Sequence, residues 1–212
     1  MNSAPIDVLV RDLLAEFERD PRGRRAAQLL SAYAAEHDDW RRFAHFKPDA
    51  YTRNLVARNA RFEMLVLCWS PGQQSPIHDH AGQHCWMGIL DGVVEETQFD
   101  FPTTAGAGLR ERGTRSFTRG KVAYIHDDLG LHRVRPGPGS FGVSLHLYSR
   151  PIDTCRVFDP ATGAVLEKTL LYHSVDGVVG ARGAAVSDAR RDEGPRNGDA
   201  LTAVLSASPF SR

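Results

Sequence analysis

Four residues able to do chemistry crowd the stretch PIHDHAGQHCW at residues 76–86: His78, His80, His84 and Cys85. His78 and His80 flank Asp79 among apolar, strand-like neighbours. In a strand, residues two apart share a face, so both imidazoles project together and Asp79 projects away. Neutral imidazole is the commonest protein ligand for a metal. A third ligand has to come from elsewhere in the chain, and His132, in GLHRV after a further strand and turn, is the best placed. Three neutral nitrogens leave coordination positions open. That suits a non-haem iron that takes both a substrate and oxygen, and it suits a zinc with three His and a water. Ligand count does not separate the two metals. A His-x-His pair by itself is more often ordinary surface or core histidine, so the reading leans on its neighbours. His84, four residues after His80 on a bending strand, is read as lying outside the ligand set. His37, His45 and His173 are read as incidental, and His126 with Asp127–Asp128 as a turn.

A second series lies in FGVSLHLYS, residues 141–149, where Ser144, His146 and Tyr148 alternate with Val143, Leu145 and Leu147. Period two marks a strand with two unlike faces. The polar face meets either water or the inside of a barrel, and the pattern does not choose between them.

The elements that must carry these residues follow from periodicity. Residues 5–20 predict an amphipathic helix, with Ile6, Leu9, Leu13 and Phe17 at helical spacing, and residues 24–43 a second helical stretch that breaks before Pro48. From about residue 51 the period changes to that of strands. RFEMLVLCWS (61–70) is a near-continuous apolar strand, and CWMGILDGVVEETQF (85–99) predicts two strands around an Asp91–Gly92 turn. KVAYIH and FGVSLHLYS are further strands, with the loop RPGPG (135–139) before the latter. Short strands at close spacing predict a mainly β protein, a sandwich or small barrel, behind N-terminal helices spanning about 5–43. Residues 1–174 are expected as a single domain. Residues 175–212, rich in Gly, Ala, Asp and Arg, are expected as a disordered tail in which DALTAVLSA alone could make a short helix.

Composition sets outer limits. The chain has 212 residues, 25% charged and 42% hydrophobic, with 26 acidic and 26 basic side chains. That balance points to no nucleic acid and no anionic membrane as partner. No apolar run is long enough for a membrane span, and charges from Asp7 onward argue against a secretory signal. Cys68, Cys85 and Cys155, an odd number at wide spacing, make a poor disulfide framework and suit a reducing cytosol.

Two resemblances give these residues roles. Gly72, His78, His80 and Gly92 resemble the first cupin motif, with Cys85 where that motif has glutamate, and Gly120 to His132 resembles the second, one residue longer than usual. The cupin resemblance implies a small, jelly-roll-like β-barrel with a metal inside. Further, YTRNLV (51–56), IHDHAGQHCW (77–86), GLHRV (130–134) and VSLHLYSRPIDTC (143–155) resemble, in order and spacing, the cysteine dioxygenases, over roughly residues 40–175. This resemblance implies Fe(2+) on His78, His80 and His132, and a cytoplasmic oxidoreductase of cysteine catabolism. The implied reaction adds both atoms of O2 to the thiol sulfur of free L-cysteine, giving cysteine sulfinic acid.

The resemblance also implies that Arg53 holds the substrate carboxylate, as a planar guanidinium can, with Tyr51 beside it. Ser144, His146 and Tyr148 become a hydrogen-bonded relay whose phenol reaches the substrate. Cys85 becomes the partner of Tyr148 in a possible thioether bond, one that family members with glycine at that place do without. Relatives that prefer 3-mercaptopropionate carry glutamine near the place of Arg53, so Arg53 favours cysteine. The alternatives are a dioxygenase for another small thiol such as 3-mercaptopropionate and a non-catalytic cupin that senses a metal or small ligand. The expected partners are L-cysteine and O2, and the expected state is a monomer.

Overall fold

The computed structural model describes residues 3–104 and 106–180. Two helices come first, α1 (Pro5–Arg19) and α2 (Ala26–Glu36). Then come β1 (Thr52–Arg58), β2 (Glu63–Trp69), β3 (Ile77–His78), β4 (Cys85–Phe99), β5 (Glu111–Thr118) and β6 (Val122–Ile125). They are followed by β7 (Leu131–Pro136), β8 (Gly142–Tyr148), β9 (Thr154–Phe158), β10 (Val165–Thr169), β11 (Ser174–Val175) and β12 (Val178–Val179). The expected mainly β architecture behind N-terminal helices is what the chain forms: a curled sheet in the order β10-β9-β3-β7-β4-β8-β2-β1-β11-β12, with β5 and β6 also on β4.

The longest strand departs from expectation. Residues 85–99 are one continuous strand of 15 residues rather than a hairpin. Asp91–Gly92 makes no reversal. The pairing of β4 with β8 slips between Ile89 and Asp91, so Leu90 is an extra residue in the ladder. Gly92 has φ 70°, and a Cβ there would collide with the carbonyl oxygen of Phe141. A bulge of this kind bends a strand and raises its twist. The first half of β4 pairs with β6 and β8, and the second half with β5 and β7. The kink is therefore where β4 passes from one wall of the curl to the other. An Asp-Gly pair supplies a positive φ equally well to a turn or to a bulge, and only neighbouring strands decide which.

Two of the three apolar clusters settle which faces point inward. Met64, Val66 and Cys68 of β2 and Val143, Leu145 and Leu147 of β8 pack with Ile6, Leu13, Phe17 and Leu30 of the helices. Leu65, Leu67 and Trp69 form an inner cluster with Met87, Ile89 and Ile125. Strands buried on both faces read as near-continuous apolar runs, which explains RFEMLVLCWS. The polar series on β8 thus faces the interior, with Ser144, His146 and Tyr148 all buried.

The second helical stretch is shorter than expected. α2 ends at Glu36, and a 3-10 turn covers Asp39–Phe43. The break lets the Asp39 carboxylate accept from the Ile6 backbone N–H at 2.9 Å and from the Tyr33 hydroxyl at 2.8 Å. The boundary expected at residue 174 also shifts, because β11 and β12 form a hairpin through Asp176–Gly177 and β11 lies parallel to β1. The rest of the expected tail, with its short helix, lies outside the described residues. Among the described residues no helix is long and apolar enough to cross a membrane.

Candidate metal centre and substrate pocket

The three histidines converge. His78 and His132 are directly paired residues of β3 and β7, and His80 follows β3. One nitrogen from each lies within 4.8 Å of the others. The Nε2 atoms of His80 and His132 stand 3.1 Å apart. A two-residue strand is too short to hold this arrangement alone, and Asp79 anchors it. The Asp79 side chain points away from the histidines, accepting the Arg156 backbone N–H at 2.8 Å and Arg156 Nε at 2.5 Å.

The outward ring nitrogens are tied down. His78 Nδ1 lies 3.0 Å from the Pro76 carbonyl oxygen, and His132 Nδ1 lies 3.0 Å from Glu96 Oε1. Each Nδ1–H can donate to its oxygen, which turns the Nε2 lone pair inward, the arrangement typical of metal-ligating histidine. His80 is set through its backbone: Asp127 accepts the N–H of His80 at 2.8 Å and that of Gly82 at 2.7 Å. Burial holds His78 well below the usual imidazole range and, outweighing Asp127, brings His80 down to about 4. Both are therefore neutral near pH 7, the form that binds metal. Burial would raise the Glu96 carboxyl, but hydrogen bonds from His132 and Arg115 outweigh it and keep Glu96 ionised. Three converging imidazoles, with the lone pairs of His78 and His132 turned inward, fit a divalent metal.

Opposite the histidines lies a cavity lined by Tyr51, Arg53, Trp69, His78, His146 and Tyr148, among others. Arg53 comes from β1 and is only 9% exposed. Its Nε and Nη2 have no hydrogen-bond partner. Its guanidinium carbon stands 5.8 Å from the centre of the Tyr148 ring. Tyr51 stacks on Trp69 with ring centres 4.6 Å apart. Buried guanidinium N–H groups without hydrogen bonds are costly, and a ligand carboxylate would satisfy them.

The series on β8 is joined at one end. Trp69 Nε1–H donates to Ser144 Oγ at 2.9 Å, and Ser144 Oγ lies 3.0 Å from His146 Nε2. Between His146 and Tyr148 the ring centres are 6.2 Å apart, and His146 Nδ1 has no partner. Burial first, then the neighbouring Cys85, pushes the Tyr148 phenol well above its usual range, so it stays protonated. Cys85 is directly opposite Tyr148 across β4 and β8, and both are buried. Directly opposed residues of an antiparallel pair have Cβ atoms about 4.5–5.5 Å apart. Burial likewise pushes the Cys85 thiol well up.

His84 stays out of the cluster, its Nδ1 lying 2.6 Å from the Tyr124 hydroxyl. Sequence reasoning missed three carboxylates: Glu96 behind His132, Asp127 behind His80, and Glu63 behind Arg53. Glu96 lies two residues after buried Val94, a charge in phase with an apolar face, and that signal was readable. Glu63 similarly interrupts an apolar run.

A family model described as cysteine dioxygenase type I matches residues 2–161. The chain is 40% identical over 152 residues to cysteine dioxygenase type 1 of Rattus norvegicus, covering 71% of this chain and 76% of the relative. It is 40% identical over 167 residues to the Danio rerio protein of the same name, covering 77% and 83%. A solved structure of an uncharacterized Klebsiella pneumoniae protein with a double-stranded beta-helix domain aligns with 64% of this chain and 98% of its own, at 11% identity and TM-score 0.45.

Proposed function

This chain belongs to the cysteine dioxygenase type I family, and on that premise we propose that it converts free L-cysteine and O2 to cysteine sulfinic acid. Both oxygen atoms end on the sulfur, so thiol plus dioxygen balances to sulfinic acid with no other reductant. The observation that carries the reading is the convergence of three imidazoles beside a buried guanidinium with two unpaired nitrogens, His78 and Arg53 lining one cavity.

We assign Fe(2+) to His78, His80 and His132. Bound there, ferrous iron supplies the one-electron chemistry by which dioxygen reacts with a thiolate. The other residues bind, orient and move protons. Arg53 offers two N–H groups to the substrate carboxylate, a charge-assisted fork stronger than neutral hydrogen bonds. That contact aims the sulfur at the metal side of the pocket, and fixed proximity supplies part of the rate. Tyr51, stacked on Trp69, closes the wall beside Arg53. Tyr148 keeps its proton and donates it as a hydrogen bond to the bound substrate. His146, held by Ser144 at Nε2, keeps its Nδ1 free on the same face of β8 as Tyr148. Apolar walls keep water away. The register of Cys85 against Tyr148 supports a thioether between them, formed by oxidation after folding. Three buried free thiols support a reducing, cytoplasmic setting, and we take the working form to be a monomer.

Oxygen uptake by iron-loaded protein tests the proposal, with L-cysteine and 3-mercaptopropionate offered separately and the products weighed by mass spectrometry. Cysteine sulfinate with about one O2 consumed per thiol, as that reaction requires, is the expected result. Preference for 3-mercaptopropionate would keep the chemistry and overturn the role given to Arg53. No uptake with either thiol would sink both.

A further inference from the structure

Behind Arg53 lies a buried polar cluster that the proposed reaction does not use. Glu63 opens β2 and is 0% exposed. Its Oε1 accepts from Arg58 Nη1 at 2.8 Å and from the Tyr172 hydroxyl. Arg58 Nη2 in turn donates to Asp153 at 2.8 Å. The other oxygen, Oε2, has no hydrogen-bond partner and lies 3.7 Å from Arg53 Nη2. Asp153, Arg58, Glu63 and Arg53 thus alternate in sign from the surface inward. The next place in the series is the cavity, where a negative group would continue it.

We infer that Glu63, held by Arg58 and Tyr172, is the positioning residue that sets the Arg53 guanidinium for the substrate carboxylate. The inference rests on the carboxylate-binding role given to Arg53. Three observations support it. Arg53 has a flexible stem and two buried N–H groups without partners, so hydrogen bonds at those groups do not fix its rotation. The nearest opposite charge is Glu63, and at 3.7 Å in a buried site that attraction is little screened. Glu63 itself cannot wander, since two donors grip one oxygen and leave the other toward Arg53. Glu63 is not among the residues lining the cavity, so it acts through Arg53 and not on the substrate directly.

The test is titration calorimetry on oxygen-free, iron-loaded protein, using L-cysteine and cysteamine, which keeps the thiol and amine but lacks the carboxylate. Glu63→Gln is expected to weaken L-cysteine binding about tenfold, or about 1.4 kcal/mol, and to leave cysteamine within about twofold. Tyr172→Phe loosens the grip on Glu63 and should weaken L-cysteine binding in the same selective way, by about threefold. In an Arg53→Ala background, Glu63→Gln should add nothing. Equal losses for both ligands, unchanged L-cysteine binding or tighter binding would each overturn the inference. If Glu63→Gln does not fold, Tyr172→Phe decides by the same criteria. Arg53→Ala alone keeps the two readings apart. A selective loss there without one in Glu63→Gln removes only the inference, whereas an unselective loss removes the role of Arg53 on which it rests.

Discussion

The two walls of the pocket are finished to different degrees. On the wall carrying β3 and β7, the outward nitrogens of His78 and His132 already meet Pro76 and Glu96, and Asp127 grips the backbone beside His80. On the wall carrying β1 and β8, Arg53 Nε, Arg53 Nη2 and His146 Nδ1 are buried and unpaired. Burying polar groups unpaired is unfavourable; the metal wall keeps one such ring nitrogen, His80 Nδ1, whereas three gather on the other wall beside the cavity, where an incoming ligand can pair them. One wall is built to hold its guest before the substrate arrives. The other keeps N–H groups in reserve, where the carboxylate of the proposed substrate would pair with them.

The difference can be broken most severely at the metal wall. His132→Ala should lose stoichiometric iron and with it all turnover, as metal analysis and oxygen uptake would show; iron retained at full stoichiometry would remove His132 from the ligand set. On the substrate wall, Arg53→Ala should raise the KM for L-cysteine by on the order of 100- to 10,000-fold, from two charge-assisted bonds of about 1.5–3 kcal/mol each, while iron content stays intact. A parallel loss of iron would mean that the walls are not separable. Glu96→Gln should weaken iron binding by about 10–100-fold and leave the KM for L-cysteine nearly unchanged once the metal is saturating.

Proton competition sharpens the contrast further. The folded protein holds His80 at about 4, and burial lowers His78 in the same direction. The unfolded chain takes up those protons first, near the ordinary value of about 6.5. Stability of the metal-free protein should therefore be full above that pH and fall as the pH drops toward 4, as denaturant melts at stepped pH would show. A flat profile would mean that these imidazoles are not buried in solution. Iron should shift the loss to lower pH, because metal competes with the same protons. The smallest effect is on covalent structure: the crosslinked protein should be lighter by about two hydrogens than its uncrosslinked form, and Cys85→Ser should abolish that difference. If the lighter species persists in Cys85→Ser, the partner of Tyr148 is another residue.

Much of the site was legible because strands have period two. His78 and His80 had to share a face, and Ser144, His146 and Tyr148 had to share another. Helix α1 was legible for the same kind of reason, its apolar residues recurring at helical spacing up to Phe17. Less was legible where a residue's meaning depends on partners far along the chain. Glu96 meets His132 across 36 residues, and Asp127 meets His80 across 47. No local pattern carries such pairs. Reading Asp91–Gly92 as a turn also broke β4 in two, which hid Glu96 from the phase of the strand that carries it.

By itself the sequence determined the candidate ligand types, their spacing, the alternation on β8 and the presence of an arginine in YTRNLV. These follow from side-chain chemistry and the geometry of a single strand. Only the tertiary structure decided that the polar face of β8 looks inward, that Asp91–Gly92 bends a strand without reversing it, and that Arg53 is backed by Glu63. Periodicity names two faces, but which one is buried depends on what packs against it. Here the helices took the face of Val143, Leu145 and Leu147 and left Ser144, His146 and Tyr148 to the pocket.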